Sequence, residues 1–123
     1  MSSITAVVID DEYFNRGLIT TLVPRLHAGF SIVGEANNSD EGYQLICSVN
    51  PEVVFLDIKM PDGSGFDLLK RFDTIDFEVV FITGFDEYAL KELDCSTYDY
   101  LLKPIDLEKL ALVLERLSLK LTE

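Results

Sequence analysis

The sequence predicts a single α/β domain built on a central parallel sheet. Apolar strand-like runs alternate with amphipathic helical stretches five times along the chain. The first, third and fourth runs are nearly continuous Val, Ile, Phe and Leu, which suits strands covered on both faces. No repeat, low-complexity stretch or interior linker divides the 123 residues, a length that buries one real core.

Strands are expected at Ile4–Ile9, Phe30–Ala36, Val53–Leu56, Val79–Ile82 and Tyr98–Leu102. The first helix carries Phe14, Leu18, Leu22 and Leu26 every four residues, with Ile19 and Val23 beside them, as one apolar stripe. Pro24 removes the bond to the Thr20 carbonyl and should kink the last turn. Further helices are expected over Asp40–Val49, Phe66–Phe72, Glu87–Leu93 and Leu107–Leu121, with Asp86 and Asp106 as N-caps. In the last helix Leu107, Leu110, Ala111, Leu114, Leu117 and Leu121 form the face that packs on the sheet. Leu112 and Leu119 fall nearly opposite and suggest a partner surface, such as a homodimer contact.

Composition narrows the function. Twenty-two acids against ten bases give a net charge of −12. Nucleic acid and anionic membranes repel such a chain, whereas divalent cations and basic partners are favoured. No apolar run approaches the ~18 residues of a membrane span. The N-terminus has no export signal, so the expected location is the cytoplasm. Cys47 and Cys95 form no metal spacing and read as reduced, packed thiols. His27, near Gly29 at the end of the first helix, reads as a dipole-favoured or exposed side chain with no phosphotransfer role.

In parallel sheets of this kind ligands bind beyond the carboxyl ends of the strands. The residues at those ends form one set: Asp10-Asp11, Asp57, Thr83-Gly84 and Lys103-Pro104. The second strand ends in Asn37-Asn38, which carries no obvious chemistry. Carboxylates crowded together raise each other's pKa, and a bound cation reverses that effect. Oxygen donors without His or Cys suit Mg²⁺. A cation, an ammonium and a hydroxyl around a carboxylate make a site for a phosphoryl group, which the carboxylate can accept as an acyl phosphate.

These residues resemble the receiver domain of bacterial two-component response regulators, the CheY-like, flavodoxin-like fold. The matching stretches are Val8-Ile9-Asp10-Asp11-Glu12, Phe55-Leu56-Asp57-Ile58-Lys59-Met60-Pro61-Asp62-Gly63-Ser64-Gly65, Phe81-Ile82-Thr83-Gly84 and Tyr98-Asp99-Tyr100-Leu101-Leu102-Lys103-Pro104. They cover essentially the whole chain, residues 1–123, in order. Phe85-Asp86-Glu87-Tyr88-Ala89-Leu90 and the segment from Asp99 to Ile105 look most like regulators with a LytTR-type DNA-binding domain downstream.

The resemblance implies a doubly wound five-stranded sheet of order 2-1-3-4-5 with five helices. It implies that Asp57 is the phosphoacceptor for a sensor histidine kinase, acting as a switch and not as an enzyme with an external substrate. Asp11 and Asp57 are then direct Mg²⁺ ligands, Asp10 reaches the ion largely through water, and the main-chain carbonyl of Lys59 completes the set. Lys103 pairs with the phosphoryl oxygens, Thr83 moves to bond one of them, and Tyr100 turns inward when Thr83 moves. The face made by the fourth helix, fifth strand and fifth helix then changes shape and serves a homodimer. Pro104 follows a cis peptide. Gly63 and Gly65 allow the tight loop after Asp57. The Lys59 ammonium could pair with a pocket carboxylate or with the phosphoryl group, and Gly84 leaves the site open.

Three other classes fit less well. A haloacid-dehalogenase-like phosphatase needs a second acid two residues beyond the acceptor, where Lys59 stands. A flavodoxin-like cofactor binder needs a phosphate-cradling loop where Asp10-Asp11-Glu12 would repel the anion. A receiver-like interaction module has no need of the full acidic set.

Overall fold

The computed structural model describes residues 3–84 and 99–122. The main sheet contains β1 (Ile4–Ile9), β2 (Phe30–Ala36), β3 (Val53–Asp57), β6 (Glu78–Thr83) and β7 (Asp99–Leu102), all parallel, in the order β2-β1-β3-β6-β7. With β6 and β7 as its fourth and fifth strands, this is the expected 2-1-3-4-5 arrangement. A two-stranded antiparallel ribbon of β4 (Lys59–Met60) and β5 (Gly63–Ser64), absent from the sequence reading, follows β3.

The helices among the described residues are α1 (Tyr13–Leu26), α2 (Ser39–Val49), α3 (Gly65–Lys70) and α4 (Leu107–Leu121). The helix expected over Glu87–Leu93, its cap Asp86, Cys95 and the first residue of the expected fifth strand, Tyr98, lie outside the described residues.

Side chains alternate across the pleat, so each strand feeds two cores. Ala6 and Val8 of β1, Phe55 of β3, and Val80 and Ile82 of β6 pack with α1 and α4. Val7 and Ile9, Val54 and Leu56, and Phe81 face α2 and α3 on the other side. This explains the unbroken apolar runs: β3 is buried along its whole length because neither face meets water. Each fully buried aliphatic side chain contributes about 1.5–3 kcal/mol.

The apolar stripe of α1 differs from expectation. Its buried residues are Ile19 and Val23, whereas Phe14 and Leu26 are exposed. A four-residue repeat drifts around a 3.6-residue turn, so its two ends leave the core-facing side. The helix also runs two residues past Pro24. Likewise α4 buries Val113 with Leu110, Leu114 and Leu117, and leaves Leu107 exposed. Asp106 caps it as expected, accepting from the Glu108 and Lys109 amides. Cys47 is exposed on α2, not packed; that helix turns Gly42 and Ile46 inward instead. His27 lies beside Glu115 of α4, at 3.6 Å, and accepts from the Gly29 amide at Nδ1.

Asn37-Asn38 turns out to have a structural role. The Asn38 side chain caps α2 by accepting from the Glu41 amide. Asp62, from the turn between β4 and β5, accepts from the amides of Ser39 and Asp40 at 2.7 and 3.0 Å. These two amides hold its carboxyl below the usual range. The loop after β3 is thereby tied to the start of α2.

Candidate functional site

Strand register builds the site. Ile9 aligns with Leu56, so Asp10 and Asp57 emerge side by side. Asp57 aligns with Ile82, which puts Thr83 one step beyond. Thr83 aligns with Leu102, so Lys103 follows at the same rim, with its amide donating to the Thr83 carbonyl at 2.8 Å. Asp10 is pinned by its own amide, which donates to Ala36, and by its carbonyl, which accepts from Arg16.

The loop after Asp57 is fixed from both sides. Ile58 and Met60 are buried in the second core. The Gly65 amide donates to the Ile58 carbonyl at 2.7 Å. Gly63 has φ of +144°, a conformation that favours glycine, and a Cβ at Gly65 would meet the Asp57 carbonyl at 2.6 Å. The first glycine permits the turn, and the second lets α3 start against the strand end. A capping box between Ser64 and Asp67 secures that start.

The result is a cleft of about 530 Å³ lined by Asp11, Glu12, Asp57, Lys59, Thr83 and Lys103, among others. Asp10, Asp57 and Thr83 are buried, while Asp11, Glu12 and Lys59 reach solvent. Among the described residues, a Cβ at Gly84 would meet nothing within 4 Å. The Lys103–Pro104 peptide is cis. Tyr100 lies on the edge strand β7, 43% exposed, while its neighbour Leu101 points into the core.

Electrostatics centre on Lys103. Its Nζ lies 2.8 Å from Glu12 Oε1, 3.0 Å from Asp10 Oδ2 and 3.1 Å from Asp57 Oδ2. Burial acts to lower its pKa, but hydrogen bonding of its ammonium to Glu12 and Asp10 and the charges of Asp57 and Asp10 outweigh this and raise it. Burial first, and then the charge of Asp10, push Asp57 up to about 7 despite the attraction of Lys103. The hydrogen bond and charge of Lys103 hold Glu12 below its ordinary value.

Glu12 is the residue that sequence reasoning missed. Beside Asp10 and Asp11 it reads as a helix-favouring acid. It does occupy the N-cap position of α1, yet its side chain makes no cap hydrogen bond and turns to Lys103 instead. The signal was available in the run of three acids, but only the approach of a strand end 91 residues away gives it meaning.

Oxygen atoms of Asp10, Asp11, Glu12 and Asp57 all lie within 4.8 Å of one another. This all-carboxylate donor set fits a hard cation such as Mg²⁺ and contains no soft ligand for zinc. The upward shift of Asp57 is the strain that such a cation would relieve.

A family profile described as the response regulator receiver domain matches residues 6–115. An uncharacterized response regulatory protein of Vibrio cholerae is 43% identical over 115 residues, covering 93% of this chain and 48% of its own length. The transcriptional regulatory protein BtsR of Escherichia coli strain K12 is 38% identical over 115 residues, with the same shares. The chain thus spans about half the length of the curated relatives it matches. Among solved structures, the REC domain of AraT from Geobacillus stearothermophilus superposes with a TM-score of 0.83 at 30% identity, covering 95% of this chain and 94% of that one. A two-component response regulator from Clostridium difficile gives a TM-score of 0.84 at 26% identity, covering 98% of this chain and 100% of that one.

Proposed function

The chain belongs to the response regulator receiver domain family, and from that premise we propose that it is a phosphorylation-dependent switch with Asp57 as phosphoacceptor. The observation that carries this reading is the approach of Lys103 Nζ to 3.1 Å from the buried Asp57 carboxylate, in a cleft that Thr83 also lines. The phosphoryl donor is a histidine kinase. An Asp57 carboxylate oxygen attacks phosphorus, the O–P bond forms, and the N–P bond to the donor imidazole breaks. Asp10, Asp11, Asp57 and the Lys59 main-chain carbonyl would hold Mg²⁺, which when bound offsets the negative charge of the pocket and of the incoming group.

The chain's own groups do the rest. Lys103 turns its ammonium to the phosphoryl oxygens. Thr83 moves its hydroxyl toward them, and Tyr100 swings inward from its half-exposed position on β7. The exposed Lys59 side chain lines the cleft, placed to pair with a pocket carboxylate or with the phosphoryl group. Inverting such a two-state equilibrium almost completely takes a differential of about 5 kcal/mol between states.

The test is acetyl phosphate with Mg²⁺, read by intact-protein mass spectrometry. The parent is expected to gain the phosphoryl mass and Asp57→Asn to gain none. Equal gain by the variant overturns the acceptor assignment.

For output, the name of BtsR as a transcriptional regulatory protein supports a role in transcription; a downstream LytTR-type domain and a cytoplasmic location are part of the proposal and rest on the sequence alone. A net charge of −12 favours leaving DNA contact to such a domain. Among the described residues no helix is long and apolar enough to cross a membrane. The homodimer face takes in Leu112 and Leu119 of α4, 70% and 61% exposed, with Tyr100 and Leu102 exposed on β7. Sedimentation over a range of concentrations is expected to show weaker self-association for Leu112→Glu than for the parent; unchanged association removes this face from the proposal.

A further inference from the structure

An ammonium has three N–H donors. The Lys103 ammonium donates to Glu12 at 2.8 Å and to Asp57 at 3.1 Å, and a third carboxylate oxygen, of Asp10, lies in ion-pair contact at 3.0 Å. A phosphoryl oxygen arriving at Asp57 competes with these three carboxylate oxygens, all within 3.1 Å of Nζ, and gains close approach where one of them yields. Asp10 and Asp57 are poor candidates. Their side chains are 4% and 5% exposed, and Asp10 also accepts from the Glu12 amide at 2.9 Å. The Glu12 side chain is 58% exposed and can exchange its partner for water at little cost.

We propose that Glu12 is a latch on Lys103, a positioning residue that occupies the ammonium until the phosphoryl group arrives and so slows its capture. The proposal deepens the phosphoacceptor reading of Asp57 and rests on it. It differs from a plain charge effect, in which Glu12 would merely repel an anionic donor from the cleft mouth. Glu12→Asp separates the two: it keeps the charge but is one methylene shorter and loses the reach to Nζ. Glu12→Ala loses both.

The experiment measures the rate of acetyl phosphate incorporation at saturating Mg²⁺ for the parent and both variants. An exposed ion pair that must open before capture predicts a gain of roughly two- to fivefold in each variant. A Glu12→Asp protein as slow as its parent, beside a faster Glu12→Ala protein, overturns the latch in favour of simple repulsion. Nitrogen-15 NMR of the metal-free proteins gives a readout that needs no phosphorylation. The protected Lys103 ammonium signal of the parent should weaken in both variants, and an unchanged signal also overturns the proposal. If the parent takes up no phosphoryl group, the acceptor reading fails, while the ammonium signal still reports whether Glu12 holds Lys103.

Discussion

The Asp57→Asn protein is expected to melt several degrees above its parent when both are metal-free at about pH 8. The Asp57 carboxyl is raised from 3.8 to about 7 in the fold by burial and by Asp10. Ionising it therefore costs stability. For an acid whose folded pKa is raised, the favourable contribution is complete below the unfolded value and is lost as pH rises through the folded one. At 1.36 kcal/mol per pKa unit the full cost is about 4 kcal/mol at most. Asparagine keeps the shape and never ionises. The gain should thus vanish near pH 4, grow up to about pH 7 and level off above it, reaching ~5–15 °C in melting temperature. Calorimetry of both proteins in chelator across this range checks it. Equal melting temperatures at alkaline pH would show that the Asp57 carboxylate sits in the fold without penalty. Added Mg²⁺ should narrow the gap by stabilising the parent more than the variant.

Lys103→Met should act in the opposite direction, and more broadly. Methionine fills similar space but leaves the carboxylates of Asp10, Glu12 and Asp57 facing one another without the shared ammonium. Removing one partner from a buried charge network costs about 3–5 kcal/mol. Lys103 itself is raised in pKa, so its contribution holds throughout the range below its ordinary titration and fades only in strong base. The pH dependence of the deficit comes from its partners. It should shrink as pH falls through about 7, where Asp57 takes up a proton, and further as Glu12 does. Urea unfolding at neutral and acid pH measures this. Phosphoryl incorporation in the same variant should fall by about 100-fold, the scale for losing a donor aimed at developing negative charge. A variant as stable and as readily phosphorylated as its parent would show that Lys103 neither balances the pocket nor serves the reaction.

Much of the fold was legible because parallel strands with helices on both faces must be apolar on both faces. The apolar runs at Ile4–Ile9 and Val53–Leu56 read as such strands, and the structure extends the second by one residue to Asp57. The helix faces were less legible. Phe14 and Leu107 obey helical spacing yet lie exposed, and Val113 breaks the leucine pattern yet lies buried. Periodicity gives a stripe but not its centre, which depends on the angle at which each helix crosses the sheet. The β4–β5 ribbon and the Asp62 cap on α2 had no periodic signal, since two-residue strands and a single carboxylate leave none.

For the site, the sequence by itself determined which residues stand at the strand ends. One rim of a parallel sheet collects every residue that follows a strand, so Asp10, Asp57, Thr83 and Lys103 could be grouped from spacing alone. Tertiary structure decided how they meet. Register set Asp10 beside Asp57, burial raised Asp57 to about 7, and one ammonium came to rest among three carboxylates. Charge interactions depend on distances of a few ångströms and on the exclusion of water. Neither quantity exists along a chain until distant strand ends are brought to the same rim.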